Sequence, residues 1–284
     1  MSVGGVIPGG PSLRPPPPNP LPQGEGGLLL NVVEVRKTFG GLQALQGVSL
    51  AVPQGRVVGL IGPNGSGKST LFDIITGFQR SDAGAVLYRG ERIERLSPDR
   101  IALRGLIRTF QMSEGGQRMT TTENLLAAVP GQQEHRPVRT LFNLPAAFSR
   151  GREIRARARE VIGLLGLKEV ADEYVGNLSG GQRKLLDLGR IFMARPRLSL
   201  LDEPTAGVNP RLIDVIVEAL RRMNQDEGIT LLIVEHNMRV IQEFCDYVYV
   251  LDAGRMICDG TPEQVSADAR VLDSYLGRTR IEID

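Results

Sequence analysis

Nine consecutive residues constrain this chain more than any other stretch: Gly62-Pro63-Asn64-Gly65-Ser66-Gly67-Lys68-Ser69-Thr70. An apolar run, Arg56-Val57-Val58-Gly59-Leu60-Ile61, leads into them, and a helix-like run, Leu71-Phe72-Asp73-Ile74-Ile75, follows. Strand, glycine-rich loop and helix in that order predict a phosphate-binding loop, or P-loop. Gly62, Gly65 and Gly67 permit a tight turn with backbone N–H groups facing inward, where side chains would obstruct phosphates. Lys68 offers a cation to the outer phosphates of a nucleotide, and Ser69 offers a hydroxyl to Mg²⁺. The first turn of the following helix adds its partial positive charge at the same point. A plain glycine turn has no use for a Lys-Ser pair at this spacing, so a nucleoside triphosphate site is the expectation.

Composition narrows the setting. The 284 residues are 41% hydrophobic, enough for one large domain or a core with a smaller subdomain. A net charge of +2 is too mild to call for a nucleic-acid partner. No apolar run has the length to cross a bilayer, and the N-terminus lacks the basic-then-apolar order of a secretory signal. Cys245 and Cys258 show neither metal-type spacing nor a disulfide framework, which suits a reducing cytoplasm. Eight prolines and seven glycines fall within residues 1–27, which read as a disordered tail.

In chain order, Leu29 to Val35 and Val48 to Val52 read as strands around a Gly40-Gly41 turn. Phe39 lies at that turn, where it either stacks on a nucleotide base or caps the core of a small sheet. Ala85 to Tyr88 and Glu91 to Ile93 form a short strand and turn. Ile107 to Gln111 is a strand ending in a polar amide, and Gln111 at a strand's carboxyl end is placed to enter a ligand crevice. From Met112 to about Arg195 the pattern turns helical, with helices over Glu123–Ala127 and Glu153–Leu165. Arg150, Arg152, Arg155, Arg157 and Arg159 alternate with alanines and acids without aromatics, as a solvated helix face does.

Leu178-Ser179-Gly180-Gly181-Gln182 opens another helix, with Ser179 at the N-cap. Two glycines there weaken the helix, and they make sense where a phosphate approaches the backbone closely. Leu198-Ser199-Leu200-Leu201-Asp202-Glu203-Pro204 is a buried parallel strand ending in two acids. Asp202 is placed to hold Mg²⁺ and Glu203 to act as general base on water. Ser199 has no evident role in so apolar a strand. Leu231 to His236 is a further strand whose terminal His236 is placed to hydrogen-bond a γ-phosphate. Tyr247–Leu251 and Arg255–Cys258 read as a hairpin, and Pro262 to Leu276 as a terminal helical segment.

Together, Gly62–Ser69, Gln111, Leu178–Gln182, Leu201–Pro204 and His236 resemble the ordered motifs of ABC transporter ATPases, and the Leu-Ser-Gly-Gly-Gln signature decides it. The resemblance spans about Leu28 to Gly277. It implies an α/β fold: a P-loop NTPase (RecA-like) core over residues 28–111 and 196–261, with an antiparallel β subdomain. A helical signature subdomain would fill 112–195, a C-terminal helical segment 262–277, and a tail 278–284. It further implies ATP and Mg²⁺ as cofactors, with Lys68, Glu203 and His236 catalytic and Ser69, Gln111 and Asp202 toward the metal. Phe39 and Gly62 through Thr70 would hold one ATP, while Ser179, Gly180, Gly181 and Gln182 would reach the ATP of a second cassette.

Phe39-Gly40-Gly41-Leu42, Arg108-Thr109-Phe110-Gln111, Ala206 to Pro210, Val234 to Met238 and Asp259 to Pro262 resemble the branched-chain amino acid importer ATPases. Urea and amide importers share these segments, and lipid exporters have similar cassettes. The implied partners are integral-membrane permease subunits, a second cassette and, indirectly, a solute-binding protein, with the chain at the cytoplasmic face of the membrane. Asn209, a departure general to that subfamily, stands where most ABC ATPases carry an aspartate, and Met112 to Gln117 replaces the apolar-aromatic run usual in family members. A DNA- or ribosome-directed ATPase is the rival class. Against it, Lys68 and Ser179 are 111 positions apart without sustained heptads, and the chain has one P-loop.

Overall fold

The computed structural model describes residues 27–109, 114–130, 144–271 and 273–274. Residues 1–26, Gln111 and the chain after 274 lie outside them, and with them the tail and magnesium-ligand expectations placed there.

Leu28–Phe39 (β1) and Leu42–Pro53 (β2) form an antiparallel hairpin around Gly40-Gly41. Val57–Ile61 (β3) runs into the P-loop and Lys68–Ile75 (α1) leaves it. Ala83–Tyr88 (β4) pairs with the free side of β1, and Glu91–Arg92 (β5) pairs with β4, closing a four-stranded sheet. Pro98–Leu103 (α2) and Leu106–Arg108 (β6) follow. Thr121–Ala127 (α3), Leu144–Leu164 (α4) and Gly180–Ala194 (α5) make the helical part. The chain then alternates through Leu198–Asp202 (β7), Pro210–Gln225 (α6), Thr230–Val234 (β8) and Met238–Phe244 (α7). Tyr247–Asp252 (β9), Arg255–Gly260 (β10) and Pro262–Ala267 (α8) complete it.

The second sheet has the order β10-β9-β3-β8-β7-β6, parallel throughout except for β10. Its strands are apolar on both faces because both are covered. Val57, Ile61, Leu201, Leu231 and Ile233 pack with the cluster that includes Leu185 and Leu188 of α5 and Leu220 of α6. Val58, Leu60, Leu200, Leu232 and Val234 pack with Phe72 and Ile75 of α1 and with Val32 and Val86 of the small sheet. At about 1.5–3 kcal/mol for each fully buried large apolar side chain, these two layers fix the parallel strands against one another. Their carboxyl ends all open on one edge, where such sheets bind ligands.

Three elements differ from the sequence reading. The hairpin strands β1 and β2 are longer than Leu29–Val35 and Val48–Val52. Register shifts along β1, with Glu34 at φ 48° and Gly47 at φ 89°, interrupt the alternation that marks a strand. The terminal helical segment breaks at Asp268, whose carboxylate caps the following turn by accepting from Arg270 N at 2.8 Å. Among the arginines of α4, Arg157 leaves the solvated face. Its guanidinium donates to Phe192 O at 2.6 Å and to Glu227 Oε1 at 3.0 Å.

Candidate nucleotide site

Gly67 starts α1 at φ 109°, a left-handed conformation, and no side chain caps that helix end. A Cβ on Gly67 would lie 2.7 Å from Ala44 O, and one on Gly62 would lie 1.9 Å from Leu251 O. Glycine is therefore demanded here by the backbone packed outside the loop, whereas the sequence reading placed the obstruction inside it. Gly65 faces open space. Lys68 is buried, and its ammonium donates to Gly62 O at 2.7 Å and Pro63 O at 2.9 Å.

A cavity of about 590 Å³ lies against this loop, lined by Asn64 through Thr70 with Phe39, Gly254 and Glu203. Phe39 is 44% exposed with Lys37 Nζ 5.2 Å from its ring centroid, so it does not cap the small sheet's core. A partly exposed aromatic ring lining this cavity suits a planar ligand.

Asp202 ends β7, and Glu203 follows with φ 49°. Glu203 Oε1 lies 2.7 Å from His236 Nε2, so the two polar strand ends expected to share a crevice do meet. Glu235, read in the sequence as merely polar, organises that meeting. It is 2% exposed, and its Oε1 accepts from Thr205 N at 2.8 Å and Thr205 Oγ1 at 2.7 Å. Its Oε2 accepts from His236 N at 3.1 Å. A buried carboxylate satisfied in this way ties the turn after Glu203 to the turn bearing His236.

A second cavity of about 890 Å³ is lined by Ser69, Arg108, Thr109, Gly180, Lys184, Asp187, Asp202 and Glu203, among others. The sequence reading gave three of its charged residues no role in the site. Lys184 of α5 donates to Glu203 O at 3.0 Å and also to Ala206 O, holding the backbone that carries Glu203. Burial pushes the Lys184 ammonium down from its usual range, against the attraction of Glu235 and Glu203. Burial likewise pushes Asp187 up to about 6, opposed by Arg190 and Lys184. Arg108 donates to Asp202 Oδ2 at 2.7 Å and to Asp73 Oδ1. An arginine in a short strand running toward a ligand edge was the available signal.

Ser69 and Asp202 face this cavity together, an oxygen-only pair of hydroxyl and carboxylate that suits a hard divalent cation. Among the described residues no group of three or more His, Cys, Asp or Glu is gathered for a metal. Phosphates and water would have to complete a Mg²⁺ shell here, as that ion prefers.

Ser179, Gly181 and Gln182 are not brought to the P-loop cavity. Ser179 Oγ accepts from Gln182 N at 3.3 Å, and Gln182 Oε1 accepts from Ser179 N at 2.8 Å, capping α5. A Cβ on Gly181 would meet Leu212 Cδ2 at 2.5 Å, a side-chain tip that would have to shift, while one on Gly180 would meet nothing within 4 Å. Asn209 accepts from Leu212 N at 2.9 Å and caps α6, a role asparagine and aspartate fill equally well. Ser199 is fully buried, and its hydroxyl has no partner among the described residues, for which nothing in the structure accounts.

Known proteins resemble this chain in sequence and fold. The ABC transporter family matches residues 45–206, and the branched-chain amino acid ATP-binding cassette transporter family matches residues 255–280. The high-affinity branched-chain amino acid transport ATP-binding protein BraF of Pseudomonas aeruginosa is 37% identical, over 88% of this chain and 98% of its own. A cassette of an ABC transporter solved in its ADP conformation is 35% identical, with TM-score 0.74 over 88% of this chain and 99% of that one. A dimeric cassette in a post-hydrolysis state with ADP and phosphate is 25% identical, with TM-score 0.67 over 82% and 98%. With P-loop, strand-end acids and signature helix in place on that fold, this chain belongs to the ABC transporter family, as an ATP-binding cassette.

Proposed function

We propose that the chain hydrolyses ATP at the cytoplasmic face of a membrane, as the energising subunit of a branched-chain amino acid importer. The observation that carries the chemistry is the Glu203–His236 pair at the rim of the P-loop cavity, with Lys68 buried in the loop beneath it. The cargo rests on likeness to the branched-chain amino acid cassettes along most of the chain and on the second family match at its C-terminal end. Among the described residues no helix is long and apolar enough to cross a membrane, so transport needs separate permease subunits.

Residue by residue, the reading runs from binding to chemistry. Phe39 stacks on the adenine, and the loop from Gly62 to Thr70 cradles the phosphates. Lys68 exchanges the carbonyls of Gly62 and Pro63 for the outer phosphate oxygens, a charge-assisted gain over neutral acceptors. Ser69 and Asp202, with Gln111, would hold Mg²⁺, which when bound neutralises phosphate charge. Glu203 accepts the proton of the attacking water, and His236 keeps that carboxylate oriented and within reach of the γ-phosphate. Lys184 holds the Glu203 carbonyl, so the base sits on a fixed backbone. Ser179, Gly180, Gly181 and Gln182 serve the nucleotide of a second cassette, a reading supported by the absence of Ser179, Gly181 and Gln182 from the linings of this chain's own two cavities.

Glu203→Gln tests the assignment. It should lower turnover by about 100- to 10,000-fold while ATP binding persists and the ATP-bound chain runs as a dimer in gel filtration. Near-normal hydrolysis by that variant sinks it. The cargo is tested by isolating the permease and solute-binding protein that co-purify with the chain and comparing leucine with urea as the transported solute.

A further inference from the structure

Arg108 joins the two elements that carry Ser69 and Asp202. It ends β6, which pairs in parallel with β7 at Leu200, two residues before Asp202. Its Nη2 donates to Asp202 Oδ2 at 2.7 Å, and its Nη1 to Asp73 Oδ1 at 2.5 Å. Asp73 lies on α1 four residues after Ser69, so both project from one face of that helix. The Arg108 side chain is only 11% exposed, and its guanidinium carbon lies 5.5 Å from the centroid of the Phe72 ring, a cation–π seat. A planar fork held in this way aims its two N–H edges in fixed directions, which a lysine ammonium cannot do.

We propose that Arg108 is a positioning residue for the divalent cation of the nucleotide site, setting Asp202 and the Ser69-bearing helix at a fixed separation. This deepens the metal-site reading of Ser69 and Asp202 and rests on it. The charge balance supports the role. Beside Asp202 alone, a guanidinium would cancel the carboxylate and repel a metal ion. With Asp73 on its other edge, the group of three retains one negative charge toward the cation. The arginine takes Oδ2 of Asp202, and among the described residues no donor is bonded to Oδ1. One carboxylate oxygen is oriented by the protein and the other is left for the metal. Loss of a partner that orients a metal ligand from behind typically costs about 10- to 100-fold in metal affinity or activity.

The test uses the full-length chain with Mn²⁺ as the spin probe and a non-hydrolysable ATP analogue. Arg108→Lys, Arg108→Gln and Asp73→Asn should each weaken Mn²⁺ binding by about 10- to 100-fold, with metal-free nucleotide affinity in EDTA unchanged within about twofold. Failure of Arg108→Lys to restore affinity shows that fork geometry, and not charge alone, is at work. Unchanged or tighter Mn²⁺ binding in both Arg108 variants overturns the proposal, as does an equal loss of metal-free nucleotide affinity. Asp202→Asn separates the two layers of the inference. If it binds Mn²⁺ as the natural chain does, the metal-site reading itself fails. If it alone loses Mn²⁺, only the role of Arg108 falls.

Discussion

Two helices of this chain begin at glycines, and they begin in opposite ways. α1 starts from Gly67 in a left-handed conformation with no side-chain cap, above a cavity that Lys68 and Ser69 line. α5 starts from Ser179, whose side chain and backbone exchange hydrogen bonds with Gln182 in a closed capping box. A helix begins with N–H groups that lack intrahelical partners, and they must be satisfied by something. At α1 that role is left to an anion; at α5 the chain fills it alone. On the proposed function the first end receives phosphate, while the second is a helix end closed by its own side chains. Gly67 and Gly180 follow the same division, since a Cβ on Gly67 would lie 2.7 Å from Ala44 O while one on Gly180 would meet nothing within 4 Å.

The hardest test of that contrast is Lys68→Ala. Without the ammonium, the open end of α1 keeps its N–H groups but loses the cation aimed at the outer phosphates. Phosphate release should fall by about 100- to 1,000-fold, the scale of losing one preorganised electrostatic group. Turnover within a few-fold of normal would break the comparison at its stronger end.

Next is stability. Gly67→Ala places a Cβ 2.7 Å from Ala44 O and 2.8 Å from Leu45 Cδ2, at φ 109°. It should cost about 1–3 kcal/mol in urea unfolding, while Gly180→Ala stays within about 0.5 kcal/mol. Equal effects at the two glycines would erase the distinction between a forced and a free position.

The contrast was only half legible in the sequence. The parallel core could be read because its strands are continuous apolar runs that stop at polar residues, as in Leu198 to Asp202, and the P-loop is a contiguous pattern. Ser179 was legible as an N-cap for the same reason, since a capping box spans four consecutive residues. What escaped were partners joined only by folding. Arg108 meets Asp202 across 94 positions, and Thr205 meets Glu235 across 30. The cause of the loop glycines escaped too, because Leu251 O and Ala44 O approach them from remote segments. Local spacing carries local geometry, and it is silent on which charge a fold will place beside another.

A smaller test concerns what α5 carries in place of open N–H groups. Asp187, two turns along, has its carboxyl raised from 3.8 to about 6, chiefly by burial, and faces Arg190 at 3.5 Å and Lys184. Its Oδ1 finds an ion pair there but no hydrogen bond. Because the folded state holds this proton more tightly than the unfolded one, stability falls as pH rises from about 4 through 6 and then levels. The ionised form should be destabilising by about 2 kcal/mol at pH 8, allowing for partial exposure. Asp187→Asn should therefore stabilise the chain at pH 8 and leave it unchanged at pH 4 in thermal unfolding. A gain equal at both pH values would remove the carboxylate from the account.

The smallest expected effect lies at the closed helix end itself. Ser179→Ala deletes the acceptor that satisfies Gln182 N while leaving Gly180, Gly181 and the packing of Gly181 on Leu212 untouched. The loss should be about 1 kcal/mol of stability, the ordinary worth of an N-cap. Nucleotide affinity of the isolated chain should not change, because Ser179 does not line the cavity that Lys68 lines. Hydrolysis by the paired cassettes should fall, because the hydroxyl is then missing from the partner's nucleotide. Measuring urea midpoint, monomer affinity and turnover on the one variant separates the helix cap from the ligand contact. A drop in monomer affinity would place Ser179 in its own chain's site and turn two unlike helix ends into two halves of one.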